Sequence, residues 1–232
     1  MLYTKTIGTG PDLVLLHGWG FNADLFEPLV ARYQSHYRIT MVDLPGHGRS
    51  QALAGGLQTW SDAIIKVVPK NPIILGWSLG GLLAIEIASQ VSVSKLILLA
   101  STPKFVQDGN WKYGIDAEHF EQFSQALTLN PIKGIKRFVS LQTRDKSQLR
   151  DLNQAIEQLP ATPDALAQGL EILLNTDLSE KLLTLTTEVQ AILGEKDTLV
   201  PKKIQHWYQQ HHIKTTLLNS GHIPFLHQDF SL

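Results

Sequence analysis

Ser78 is the residue in this chain best placed to do covalent chemistry. It lies in Gly76-Trp77-Ser78-Leu79-Gly80-Gly81, between the apolar run Ile73-Ile74-Leu75 and the helix-forming run Leu82-Leu83-Ala84-Ile85-Glu86-Ile87-Ala88. A Gly-x-Ser-x-Gly turn from a buried strand into a packed helix is a nucleophile elbow, whose glycines permit a sharp turn and close neighbours. A serine hydroxyl is a weak nucleophile at neutral pH and needs a base, normally a histidine oriented by a carboxylate. With an elbow the three residues come in the order Ser, acid, His. Asp197, in Gly194-Glu195-Lys196-Asp197, and His222, in Ser220-Gly221-His222-Ile223-Pro224, satisfy that order, each just past a predicted strand. The chemistry implied is hydrolysis through a covalent acyl-serine.

Each partner has a rival. Glu195 comes two residues earlier in the same turn, and Asp177 belongs to a helical block. His227 competes with His222 but falls in a predicted helix. His206, His211 and His212 fall in a polar helical stretch and are expected to face solvent. A tetrahedral intermediate needs two preorganised N–H donors. The amide after the nucleophile, Leu79, is one candidate. Trp19, in the early loop His17-Gly18-Trp19-Gly20, is the other, with its indole walling the pocket. His17 is expected to bond within that loop. Asp43-Leu44-Pro45-Gly46-His47-Gly48-Arg49-Ser50 reads as a structural turn tied down by Asp43 and Arg49. No cluster has metal-ligand spacing, and Gly8-Thr9-Gly10 and Gly55-Gly56 lack a phosphate-loop pattern.

The elements that must hold these residues alternate. Leu13–Leu16, Ile39–Asp43, Ile73–Leu75 and Lys95–Ala100 read as buried strands, with helices over Ala23–Tyr33 and Thr59–Val68 and after the elbow. Strands apolar throughout and separated by helices imply a parallel sheet covered on both faces. From about residue 104 to 184 the chain is helix-like and more polar, punctuated by Pro131, Pro160 and Pro163. The sheet pattern resumes at Val189–Gly194 and Lys214–Leu218. The expected organisation is a core of 1–103 and 185–232 with a helical lid inserted over 104–184.

The composition, 43% hydrophobic and 18% charged over 232 residues, suits one soluble domain. A net charge of −1 gives no global field for nucleic acid or an anionic membrane. The absence of cysteine excludes disulfides and thiol chemistry and fits a reducing compartment. Met1 to Pro11 lacks the pattern of a signal peptide, and no apolar run reaches membrane-spanning length. A cytoplasmic protein, monomeric for want of an exposed apolar helix, is expected. Residues 131–150 depart from this balance: Lys133, Lys136, Arg137, Arg144, Lys146 and Arg150 stand against Asp145 alone. Ile132, Ile135, Phe138, Val139 and Leu141 interleave with them as the apolar stripe of an amphipathic helix. By spacing alone this is a solvated helix face; the functional alternative is a dock for an acidic partner.

With these residues in place, the chain resembles the α/β-hydrolase superfamily: a mostly parallel sheet flanked by helices, with an inserted helical lid. More narrowly it resembles the pimeloyl-[acyl-carrier protein] methyl ester carboxylesterases of biotin synthesis. The segments concerned are Leu15-Leu16-His17-Gly18-Trp19-Gly20, Val42-Asp43-Leu44-Pro45-Gly46, the elbow, Arg137-Phe138-Val139-Ser140-Leu141-Gln142-Thr143 and Gly169-Leu170-Glu171-Ile172-Leu173. The resemblance implies Ser78, Asp197 and His222 as catalytic residues, no cofactor, and Trp19 and Leu79 as donors to the ester carbonyl oxygen. It implies a substrate channel lined by Phe138, Val139, Ser140, Leu141 and Gln142 under the lid. It also implies that Lys133, Lys136, Arg137, Arg144 and Arg150 face an acidic carrier protein. A general short-chain carboxylesterase, a carbon–carbon bond hydrolase or lyase, and a slow-turnover ligand receptor are the alternatives on the same scaffold.

Overall fold

The computed structural model describes residues 1–129 and 131–232, without the side chains of residues 124, 126, 128, 129, 131 and 132. Among the described residues, seven strands form one sheet in the order β1-β3-β2-β4-β5-β6-β7. They are β1 (Thr4–Ile7), β2 (Asp12–Leu16), β3 (Arg38–Val42), β4 (Ile73–Trp77), β5 (Lys95–Leu99), β6 (Glu188–Gly194) and β7 (Lys214–Leu218). From β3 to β7 all neighbours are parallel. β2, β3, β4 and β5 share one pattern: a first residue that keeps some exposure, then four buried ones. This is the signature of strands covered on both faces. β1 is an additional edge strand, antiparallel to β3. Its sequence Thr-Lys-Thr-Ile is partly exposed and too polar to stand out as a buried run.

The helices depart from the sequence reading where proline and glycine intervene. Ala23–Tyr33 is not one helix but a 3-10 turn, Ala23–Phe26, followed by α1 (Glu27–Tyr33). Pro28 has no N–H to give the carbonyl four residues back, so a continuous ladder cannot pass through it. α2 (Gly56–Ile65) begins and ends three residues earlier than expected; it starts after Gly55 at φ +130°. Pro69 disfavours helical backbone at the residue before it, Val68.

α3 (Leu79–Ala88) follows the elbow and is buried from Leu79 through Ile87, against β4, β5 and α2. Its one buried charge, Glu86, accepts from Lys181 Nζ at 2.7 Å and Gln90 Nε2 at 3.2 Å. Between β5 and β6 the chain forms α4 (Ala117–Leu129), α5 (Pro131–Gln142), α6 (Lys146–Gln158), α7 (Pro163–Asn175) and α8 (Ser179–Thr184). Pro131 and Pro163 open helices, and Pro160 follows the end of α6. α7 packs on α2 and α3, while α5 packs on α4 and α6. The side chain of Ile132, counted in the apolar stripe, lies outside the described residues. α9 (Ile204–Gln210) precedes β7. Among the described residues no helix is long and apolar enough to cross a membrane.

Candidate active site

The C-terminal ends of four parallel strands meet at one place. Loops after β2, β4, β6 and β7 carry Trp19, Ser78, Asp197 and His222. An open parallel sheet places its site at this edge. Ser78 follows β4 directly and sits at φ +55°, ψ −119°, a left-handed conformation that costs a non-glycine residue about 1–3 kcal/mol. The surroundings hold it there. Ser78 N donates to Leu99 O at 3.0 Å, and Ser78 O accepts from Ser101 Oγ at 2.7 Å and Gly81 N at 2.9 Å. The elbow glycines are required by contact: a Cβ on Gly76 would run into the carbonyl of Gly80, and one on Gly80 into the carbonyl of Leu16.

Ser78, His222 and Asp197 form one buried hydrogen-bonded chain. His222 Nε2 lies 2.8 Å from Ser78 Oγ, and His222 Nδ1 lies 2.7 Å from Asp197 Oδ2. An ionised carboxylate only accepts, so the Asp197 contact makes Nδ1 the protonated nitrogen and leaves Nε2 free to accept the serine proton. The other oxygen, Asp197 Oδ1, accepts from the amides of Leu199 (2.8 Å) and Val200 (3.0 Å), which fixes the carboxylate plane. The backbone of His222 is held twice: its N–H donates to Gln142 O at 2.7 Å, and its carbonyl accepts from Trp77 Nε1 at 2.7 Å.

The rivals lie elsewhere. Glu195 is exposed and 3.7 Å from Lys202; Asp177 is exposed and bridges to Lys104 at 2.9 Å. His227 is not in a helix. It caps the 3-10 turn Pro224–Leu226 in extended conformation, with Nδ1 3.8 Å from Asp229. Pro224 and the turn that it opens use up the residues a helix would need. His206, His211 and His212 are exposed, as expected. Asp43 accepts from the amides of Ala23 (2.7 Å) and Arg49 (2.8 Å), so the tie-down role holds, but the Arg49 guanidinium pairs mainly with Asp24 at 2.6 Å.

Trp19 is buried beside Ser78. Its indole N–H donates to Leu166 O of α7 at 2.8 Å, and its ring meets Phe138 edge-on at 4.8 Å. Leu79 supplies the first amide of α3, a position that a helix leaves without an internal acceptor. A mainly apolar cavity of about 230 Å³ opens over Ser78. Of the residues expected around it, Trp19, Phe138 and Leu141 form its wall. Leu173, from the Gly169–Leu173 segment, also lines it, as do Phe105, Phe120 and Phe123, which no sequence motif picks out, although Phe120, Phe123 and Leu127 do carry a helical spacing on α4. Val139 is buried away from the cavity. Ser140 and Gln142 border a second groove, lined also by Arg144, Gly221 and Ile223. Gln142 therefore reaches the site through its main chain, a contact with no local signature in the sequence.

The cations of 131–150 are all exposed. Lys133, Lys136 and Arg137 share one face of α5, and Arg137 reaches the rim of the cavity. Arg150 is on α6, 3.9 Å from Asp151.

A family model described as "Alpha/beta hydrolase family" matches residues 13–230. The chain belongs to the alpha/beta hydrolase family. Among curated proteins, one of Pseudoalteromonas atlantica named pimeloyl-[acyl-carrier protein] methyl ester esterase is 36% identical, over 97% of this chain and 92% of its own. One of the same name from Shewanella sp. (strain MR-7) is 41% identical, over 97% and 89%. Among solved structures, an esterase from Exiguobacterium antarcticum superposes with a TM-score of 0.87 at 26% identity, covering 97% of this chain and 90% of that one. A bromoperoxidase from Bacillus anthracis, at TM-score 0.86 and 19% identity over the same shares, has the same fold.

Proposed function

We propose that this protein is a serine carboxylesterase that hydrolyses the methyl ester of pimeloyl-[acyl-carrier protein], with Ser78, His222 and Asp197 as its catalytic residues. The observation that carries this reading is the buried Ser78–His222–Asp197 chain opening on an apolar cavity, in a fold whose full-length relatives carry that name. In the proposed mechanism Ser78 Oγ attacks the ester carbonyl carbon as His222 Nε2 takes its proton. Asp197 stabilises the imidazolium, and the negative oxygen rests on the amides of Trp19 and Leu79. His222 returns the proton to the departing methoxide, which leaves as methanol. Water, deprotonated by His222, then attacks the acyl-serine and frees the carboxylate and Ser78. No cofactor takes part.

The apolar cavity wall suits the methylene chain, and the basic rim of α5 suits the acidic carrier protein outside. In this reading residues 104–184, with α4 to α8, serve as a lid, and Lys133, Lys136, Arg137, Arg144 and Arg150 form the docking face. A cysteine-free chain suits the reducing cytoplasm, where we place it. The test is hydrolysis of the carrier-bound methyl ester beside methyl pimelate across a salt series. Faster cleavage of the carrier-bound ester, with an advantage that shrinks as salt rises, is expected. Equal cleavage of both at every salt concentration leaves a general esterase and removes the carrier protein from the reading.

A further inference from the structure

The segment Asp43–Ser50 contains a buried imidazole that the mechanism does not use. We propose that His47, acting with His17, is a positioning residue that fixes the orientation of the Trp19 amide toward the reacting carbonyl. The inference rests on the reading of Trp19 as an oxyanion donor.

Trp19 is flanked by two peptide planes, and each is held by an imidazole. The Gly18–Trp19 plane carries both Gly18 O and Trp19 N–H, which point to opposite sides of a trans peptide. His17 Nδ1 lies 2.8 Å from Gly18 O and donates to it, so the opposite edge of that plane, the Trp19 N–H, is aimed. The Trp19–Gly20 plane is held from the other side, where Gly20 N donates to His47 Nε2 at 3.2 Å. Both tautomers are dictated by main-chain partners. His47 Nδ1 donates to Pro45 O at 3.0 Å, which leaves Nε2 as acceptor; His17 Nε2 accepts from Leu44 N at 2.9 Å, which leaves Nδ1 as donor. The two rings lie 5.3 Å apart, and Trp60 meets His47 edge-on at 5.8 Å. Burial keeps both imidazoles neutral, with pKa values pushed down to about 4 for His17 and about 3 for His47.

The same segment also reaches the helix over the cavity. Gly46 O accepts from Thr162 N at 2.8 Å, and a Cβ on Gly46 would meet Ala165 of α7. α7 in turn holds the Trp19 indole through Leu166 O. The main chain and the side chain of Trp19 are thus referred to one frame. A donor must lie within about 2.7–3.1 Å of the developing oxyanion to stabilise it, so a tilted plane forfeits much of its effect.

The test uses the whole enzyme, methyl pimelate as substrate and an alkyl trifluoromethyl ketone, whose serine adduct carries an oxyanion. His47→Leu removes the acceptor; His47→Gln places an amide oxygen near the Nε2 position; His47→Asn keeps a donor for Pro45 O but cannot reach Gly20 N. Loss of one oxyanion donor typically lowers kcat by about 100- to 1000-fold, so a misaimed donor in His47→Leu and His47→Asn is expected to lower it by about 10- to 100-fold. KM should stay within about threefold, and ketone affinity should fall by the same factor as kcat. The pH–rate profile should keep its shape. His47→Gln should recover most of both losses. If His47→Leu does not fold, the comparison of Gln with Asn carries the test. The proposal is overturned if His47→Asn keeps kcat within twofold, if kcat falls without loss of ketone affinity, or if Gln is no better than Asn. Ser78→Ala in the same assays separates the two layers. Retained turnover there removes the site reading and the inference together, whereas a dead Ser78→Ala beside an unimpaired His47→Asn removes only the inference.

Discussion

Replacing Asp197 by Asn should leave the protein folded and remove almost all of its activity. Asp197 Oδ1 is engaged by two amide donors, those of Leu199 and Val200, and Oδ2 by His222 Nδ1. An asparagine can satisfy the two amides only with its carbonyl oxygen on their side. Its NH₂ then faces His222 Nδ1 across the 2.7 Å contact, where a donor must meet an acceptor. The imidazole is driven into the other tautomer, with its proton on Nε2, pointing at Ser78 Oγ. In that state it cannot accept the serine proton. The ring itself stays in place, because Gln142 O and Trp77 Nε1 hold the backbone of His222. The expected loss in kcat is about 10⁴-fold, or about 5.5 kcal/mol of transition-state stabilisation, with KM little changed. Exchanging charge-assisted for neutral hydrogen bonds should cost about 1–2 kcal/mol of stability. Steady-state kinetics on methyl pimelate, with urea unfolding of the same preparation, separate the two effects. An Asp197→Asn enzyme within tenfold of the parent kcat refutes the tautomer argument.

Three further outcomes follow from the same contacts. A Cβ on Gly169 of α7 would come within 2.7 Å of Trp19 Cδ1 and 3.2 Å of Leu79 Cδ2, so Gly169→Ala presses on both proposed oxyanion residues; it should lower stability by about 1–3 kcal/mol and kcat/KM by about tenfold, and an unchanged kcat/KM would show that α7 can yield. His17 and His47 titrate near 6.5 when unfolded but are pushed down to about 4 and about 3 when buried, so below pH 6.5 the unfolded chain binds more protons than the folded one. Stability should therefore be fully present above pH 6.5 and fall as pH drops toward 3, by at most about 2–3 kcal/mol per pH unit while both contribute; equal urea midpoints at pH 7 and pH 5 would contradict this. Lys136→Glu combined with Arg150→Glu should lower the ratio of carrier-bound to small-ester kcat/KM and flatten its salt dependence, and an unchanged ratio would place docking elsewhere.

Much of the site was legible because its chemistry is local in sequence. Strand, turn, serine and helix are contiguous around Ser78, and the glycines at 76 and 80 are demanded by backbone contacts that any such elbow makes. Asp197 and His222 were legible through chain order and strand ends. The helix boundaries at 26 and 56 were not: apolar spacing continues across Pro28, where the backbone ladder cannot, and Gly56, a poor helix former, nonetheless opens α2. β1 has no signature of this kind, because an edge strand buries too little to need an apolar run. The neighbours of His227 suggest a helix, but Pro224 opens only a single 3-10 turn.

The amino-acid sequence by itself singled out Ser78, Asp197 and His222 as the candidate nucleophile, acid and base, and the alternation of elements that brings them to one sheet edge, since these depend on periodicity, turn chemistry and order along the chain. Tertiary structure alone decided which residues of 131–150 face the cavity and which face solvent. It also decided that Gln142 serves His222 through its carbonyl, and that His17 and His47 bracket Trp19. Those outcomes depend on helix packing and on hydrogen bonds between segments 27 to 145 residues apart, and no pattern within a single segment encodes such distances.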